Sequence, residues 1–386
     1  MTMPGTSLRH RGGLLVTGLL AAASLGGSAL AQSPSAAVAP ASPVASSLAP
    51  SAASLAPAGS TVRLLTHGAF ALSQSVLDSF QRQTGASIQV IASADAGSAV
   101  NQAILTKSNP IADVLYGVDD TFLSRALDAG IFEPYQPAAI TDVPDALKLD
   151  PQGRVTPIDY GDVCINIDLG ALATAGLQPP TTIEQLTQPA WKDKLVVVDP
   201  GVSSPGLAFV LATFARFGET GPYTWRDYWA ALRASGVQVA ATWDDAYYND
   251  FSGGSGAGDR PLVVSYASSP VAEVYYADPK PSVPPTQAPT SALLDGCYRQ
   301  VEFAGVLAGT PEPALSRALV DFLLSQPVQE DIPLNMFVFP ANTMAALPDV
   351  FRTFAELPTH PFTMDPPTIA ANRDRWIEEW TQTVLR

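Results

Sequence analysis

The chain has 386 residues, 47% hydrophobic and 15% charged, with 21 basic against 36 acidic residues and a net charge of −15. That length can hold two domains, each with its own core. The acidic balance disfavours nucleic acid and anionic membrane surfaces as partners and mildly favours a cationic or neutral ligand.

Residues 1–31 read as a secretory signal peptide. Arg9, His10 and Arg11 make a basic start, an apolar run from Gly12 to Leu25 follows, and Ala29-Leu30-Ala31 is a small-residue cleavage site. The apolar run is too short to span a bilayer. No cysteine lies near the cleavage site to carry a lipid anchor. The expected location is therefore periplasmic or otherwise extracytoplasmic. Residues 32–60 are almost only Ala, Ser, Pro, Leu and Val and read as a disordered tether.

Folded sequence is predicted from Thr61. Val62 to Thr66 reads as a strand. Leu72, Val76 and Phe80 recur at helical spacing until Gly85. Ile88 to Ile91 is a second strand, Ala99 to Leu105 a helix, and Val114 to Tyr116 a third strand. Asp119 or Asp120 then caps a helix that ends at Gly130. Strand and helix alternating at this spacing predict a parallel sheet with crossover helices. Val155 to Asp168 reads as two short strand-like runs around Gly161.

The alternation resumes at Leu195 to Val198, followed by a helix from Ser204-Pro205 to Phe217 with Gly218 beyond it. Val237 to Ala241 and Leu262 to Tyr266 read as strands, then Tyr298 to Leu307 as a strand and Pro313 to Ser325 as a helix. In the last helix, Thr368 to Leu385, Ile369, Trp376, Trp380 and Val384 form a packing stripe. Cys164 and Cys297 are the chain's cysteines. In an oxidising compartment they can pair as a disulfide; the alternative is two buried thiols packed as small hydrophobes.

Catalytic motifs are missing. The histidines are His10, His67 and His360, with no HExxH and no Cys/His cluster to hold zinc. None of the five lysines lies three residues after a serine. Gly253-Gly254-Ser255-Gly256-Ala257-Gly258 fails as GxSxG at Ala257 and as GxGxxG at Asp259, and reads as a loop. Asp244-Asp245 reads as a helix cap.

Ligands of open α/β sheets bind beyond the carboxyl ends of strands, beside helix N-termini. That rule selects His67, Asp95, Asp119, Ser203, Ser204, Trp243 and Tyr266. The turn Ser203-Ser204-Pro205-Gly206 could hold a phosphate or carboxylate on free backbone N–H groups, or be a plain helix cap. Asp95 could meet a cation, or cap the helix beginning near Ala99. Trp243 and Tyr266 could stack on a flat cationic ring, or sit in the core.

From about Val62 to Arg386 the chain resembles the periplasmic thiamine-binding proteins of bacterial ABC importers, within the type II periplasmic binding proteins that include ferric-iron and polyamine binders. The resemblance runs through Asp95 to Asn101, Ala112-Asp113-Val114 with Gly117-Val118-Asp119, and Ile158 to Gly161. It continues through Asp199-Pro200 with Ser203 to Leu207, Trp243 with Ala246-Tyr247, Ser265-Tyr266 with Ser269-Pro270, and Arg373 to Trp380.

It implies an α/β chain of two lobes, residues 61–158 plus 298–340 and residues 159–297 plus 341–386. Each lobe would be a mainly parallel sheet flanked by helices, with the ligand cleft between lobes. It implies a monomer without cofactor or catalysis, which binds thiamine or a thiamine phosphate and delivers it to an ABC transporter permease. By position in the motifs, Asp95 would meet the ligand's pyrimidine or amino side and Ser203 its phosphate or hydroxyethyl end. Trp243 and Tyr266 would flank the rings, and Phe337 stands where the family has tryptophan. Two positions depart from the family, His67 and Ala272, where it has tyrosines. The paired tyrosines Tyr247-Tyr248 and Tyr275-Tyr276 leave ferric iron as a second reading, with polyamine a further one. A thiamine- or pyrimidine-processing enzyme is a third.

Overall fold

A computed structural model describes Pro57 and residues 59–254, 256–277, 279–283 and 285–386. The signal-peptide reading and nearly all of the tether reading lie outside these residues. The strands are β1 (Thr61–His67), β2 (Ser87–Ser93), β3 (Val114–Asp119), β4 (Thr156–Asp168), β5 (Leu195–Val198), β6 (Gln238–Ala240), β7 (Leu262–Tyr266), β8 (Thr290–Val306) and β9 (Phe339–Pro340). Helices α1 (Gln74–Thr84), α2 (Ala96–Leu105) and α3 (Asp120–Asp128) follow the first three strands. Later come α4 (Leu169–Thr174), α5 (Ser204–Phe217), α6 (Trp225–Ala234), α7 (Ser269–Tyr275), α8 (Pro313–Leu323), α9 (Gln326–Asn335), α10 (Asp349–Phe354) and α11 (Pro366–Val384).

Among the described residues the strands form one sheet in the order β2-β1-β3-β8-β4-β7-β5-β6, with β9 paired to β4. The two flanks are parallel: β1 pairs with β2 and β3, and β5 with β6 and β7. The centre is antiparallel, through β3–β8, β8–β4 and β4–β7. Parallel strands buried on both faces need continuous apolar runs. Val62, Leu64 and Leu65 of β1, Val114 and Leu115 of β3, and all of β5 are accordingly buried. Each parallel step requires a crossover helix, which is why helical periodicity separates these runs.

The central strands differ most from expectation. The stretch expected as two runs from Val155 to Asp168 is one strand, β4 (Thr156–Asp168). Gly161 interrupts the apolar pattern because it makes room for a neighbour: a Cβ there would lie 2.6 Å from Cδ1 of Tyr266. The strand expected from Tyr298 begins at Thr290. Its extra residues pair with Asp168, Ile167, Asn166 and Ile165 of β4, a long-range ladder with no local signature. Between Val163 and Ile165 the register slips, and there Cys164 is joined to Cys297 by a disulfide.

Local signals read well elsewhere. Ser203 caps α5, Pro205 lies in its first turn and Gly218 follows its end. Gly206 is required there, since a Cβ would lie 2.4 Å from the Val198 carbonyl oxygen and the helix could not abut β5. The stripe on α11 is packing: Trp376 and Trp380 are buried, with ring centroids 4.3 Å from Phe214 and 5.5 Å from Trp229. α11 touches both α3 and α6. Helices α6 and α9 were not expected. α9 carries Pro333 inside it, which argues against a helix in any local reading. No helix of the described residues is long and apolar enough to cross a membrane.

Candidate functional site

The carboxyl ends of β1, β2, β5, β6 and β7 open into one cleft of ≈ 1010 Å³. A cleft at that edge of an open α/β sheet is where helix N-termini and short connecting turns place polar groups. His67 ends β1. Asp95 follows β2 and caps α2, its Oδ1 accepting from the Ala96 N–H at 2.8 Å. Ser204 and Pro205 follow β5, Trp243 follows β6, and Tyr266 ends β7. Phe337 reaches the same space from beyond α9. These six expected residues are brought together, and Ala272 lines the cleft with them.

Two expected residues are placed elsewhere. Ser203 is fully buried and does not line the cleft; its Oγ accepts from the Gly206 N–H at 3.4 Å. The free N–H groups expected in that turn are largely taken. Ser203 N–H donates to the Asp199 carbonyl, Pro205 has none, and the Ser204 N–H acts on the Asp95 carboxyl. Asp119 is also buried behind the cleft wall. Its Oδ1 accepts from the N–H groups of Thr121 and Phe122 and from the Thr121 hydroxyl, capping α3. Its Oδ2 accepts from Gln300 Nε2 at 2.7 Å.

One wall is aromatic. Trp243 stacks on Tyr247 with centroids 4.9 Å apart and planes at 17°, and Tyr248 meets it edge-on at 5.6 Å. Trp243 Nε1 donates to Ser265 Oγ at 3.1 Å, which fixes its ring orientation. The π-helical turn Asp245–Asp250 sets both tyrosines beside it. The Tyr247 hydroxyl donates to Glu273 at 2.7 Å. Tyr276 lies 5.5 Å from Phe337, also edge-on. Phe337 holds φ +56°, a left-handed conformation costly for a non-glycine residue, and Ser268 Oγ donates to its carbonyl at 2.6 Å.

The charges are unbalanced. Asp95, Asp244, Glu273 and Glu302 line the cleft against one basic side chain, His67; no Lys or Arg is among its described lining residues. Burial opposes charge on His67. Glu302, 3.3 Å away, together with the charges of Asp159 and Asp95, more than offsets this, and the imidazole is pushed up to about 9. Burial pushes the Asp95 carboxyl up to about 6, against the Ala96 N–H and His67. Behind them the Tyr116 hydroxyl donates to Asp159, whose acidity burial and Glu302 suppress strongly.

Strand-end reasoning missed Glu302, because it projects from the middle of a long strand. It also missed Tyr248, Tyr276, Glu273 and Met336, which come from helical turns and loops where residue type alone carries no signal. The glycine-rich run is a tied turn: Gly256 N–H donates to Gly253, Ala257 to Tyr248 and Gly258 to Phe251. Among the described residues no cluster of three His, Cys, Asp or Glu could hold a metal.

Residues 109–354 match the family described as bacterial extracellular solute-binding protein. The thiamine-binding periplasmic protein of Salmonella typhimurium is 28% identical over 313 residues, covering 81% of this chain and 88% of that one. A solved periplasmic thiamin binding protein superposes with a TM-score of 0.71 at 25% identity, over 86% of this chain and all of its own. Iron-bound HitA from Pseudomonas aeruginosa, at 18% identity, shares the fold with a TM-score of 0.66 over 83% of this chain and 99% of its own.

Proposed function

This chain belongs to the bacterial extracellular solute-binding protein family, with the type II periplasmic binding protein fold, and we propose that its ligand is thiamine or a thiamine phosphate. Its family and relatives are binding proteins rather than enzymes. In this reading a single chain, located in the periplasm, holds one ligand molecule between lobes 61–158 plus 298–340 and 159–297 plus 341–386. It then delivers that molecule to an ABC permease.

The observation that carries the reading is the pairing of aromatic faces with carboxylates in one cleft. Thiamine is a fixed flat cation joined to an aminopyrimidine. Such a ligand gains from ring stacking and from a negative field in a partly dehydrated site. Trp243, Tyr248, Phe337 and Tyr276 offer the faces, and Asp95 and Glu302 the field. The names of the curated relatives support the same ligand.

Isothermal titration with thiamine, its phosphates and spermidine tests this. Thiamine-type binding is expected at sub-micromolar Kd, on the order of −8 kcal/mol or more favourable. Absence of heat with every thiamine form rejects the ligand. Ferric iron is the second reading, because Tyr247, Tyr248 and Tyr276 line the same cleft. The Tyr247 hydroxyl is already given to Glu273. A visible tyrosinate charge-transfer band on adding ferric citrate would favour iron.

A further inference from the structure

We propose that Asp119, Gln300 and Tyr266 form a relay that makes the Tyr266 hydroxyl a hydrogen-bond acceptor toward the cleft, so that the site selects a ligand presenting an N–H there. For the identity of that ligand the proposal rests on the thiamine reading.

The relay starts at Asp119. Three donors converge on its Oδ1, and Gln300 Nε2 donates to its Oδ2 at 2.7 Å. Burial pushes the Asp119 carboxyl up to about 6 against these donors, so at pH 7 and above it is mainly a carboxylate, which has no proton to give. The Gln300 amide therefore cannot turn over: its NH₂ must face Asp119 and its Oε1 must face away. That Oε1 lies 3.1 Å from the Tyr266 hydroxyl. An amide oxygen only accepts, so Tyr266 must spend its one proton on Gln300. Asp119 and Gln300 are both buried, so water does not compete for either contact.

Tyr266 itself lines the cleft. Its ring is seated against Gly161, where an added Cβ would lie 2.6 Å from the Tyr266 Cδ1. With its proton committed, the hydroxyl offers the cleft lone pairs alone. A donor such as the exocyclic amine of an aminopyrimidine is matched there. A carbonyl in the same place meets another acceptor and loses its water without replacement. Asp119 and Gln300 are positioning residues in this scheme, and they account for a buried acid that caps a helix yet also reaches across to β8.

The test compares thiamine with oxythiamine, in which a carbonyl replaces that amine. Wild-type protein should bind oxythiamine ~10-fold or more weakly. Gln300→Met frees the Tyr266 proton, and Tyr266→Phe removes the hydroxyl. In both, the ratio of the two dissociation constants should fall to within about threefold. Loss of stability alone would not change that ratio. Equal binding by wild type, or an unchanged ratio in both variants, overturns the proposal. If wild type binds neither compound, the thiamine reading fails and the relay is judged on ligand-free protein. There the Tyr266 ¹³Cζ resonance of ring-labelled tyrosine must move on Gln300→Met. A resonance that stays in place overturns the relay, and one that moves supports it.

Discussion

Breaking the Cys164–Cys297 disulfide should lower stability without unfolding the chain at room temperature. The bond links residues 133 apart in sequence, and both half-cystines are buried. Closing a loop of that length in the unfolded chain costs about 5 kcal/mol of entropy at 25 °C, which the bond contributes to stability as an upper figure. Residual structure in the unfolded chain reduces this, and native disulfides are commonly worth about 2–5 kcal/mol. For ~330 folded residues the unfolding entropy is roughly 0.7 kcal/mol per kelvin, so the melting temperature should fall by about 3–7 °C. The assay is thermal unfolding followed by circular dichroism, with and without reductant, thiols being counted on unfolded samples. A Cys164→Ala/Cys297→Ala variant should fall further than reduced wild type, because it also loses two buried sulfur atoms. Reduced protein with two titrated thiols that melts within about 1 °C of the oxidised form would refute the loop-entropy reasoning.

Trp243→Ala should weaken thiamine binding by about 1–3 kcal/mol through lost stacking, and Trp243→Phe by less; unchanged affinity in calorimetry would make its ring part of the wall and not of the ligand contact. The His67–Glu302 pair should stabilise the fold at neutral pH. The imidazole is raised from 6.5 to about 9, so its contribution is complete below pH 6.5 and disappears as pH rises through about 9. That contribution is about 3 kcal/mol, and histidine NMR should place the His67 titration near 9. Glu302→Gln leaves burial as the larger influence, and the His67 titration should drop toward or below its ordinary value. Asp95, raised to about 6, should lose its charge as pH falls from 7 to 5, weakening the binding of a cation over that interval. Asp95→Asn should bind weakly and show a flatter pH dependence; a parallel decline in the variant would assign the effect to another group.

How much was legible in the sequence followed from range. Signals that act within a turn or two are carried by residue type. The Ser203 cap with Pro205 and Gly218, the apolar runs of β1, β3 and β5, and the stripe of Trp376 and Trp380 all stand close to where they were expected. The strand-end rule found His67, Asp95, Ser204, Trp243 and Tyr266 because parallel strands deliver their carboxyl ends to one edge. What spans the fold had no local trace. β4 and β8 are continuous because each is the other's template over most of its length, so Gly161 and Leu294 to Cys297 do not break them. Glu302 enters the cleft from within β8, whose pairing is long-range, and the charge of His67 rests largely on that contact. Ser203 and Asp119 carry the residue types of a ligand site and stand at strand ends, yet both face inward to cap helices. Residue type specifies which hydrogen bonds a side chain can make, and only the packed backbone decides which partner comes within 3 Å of it.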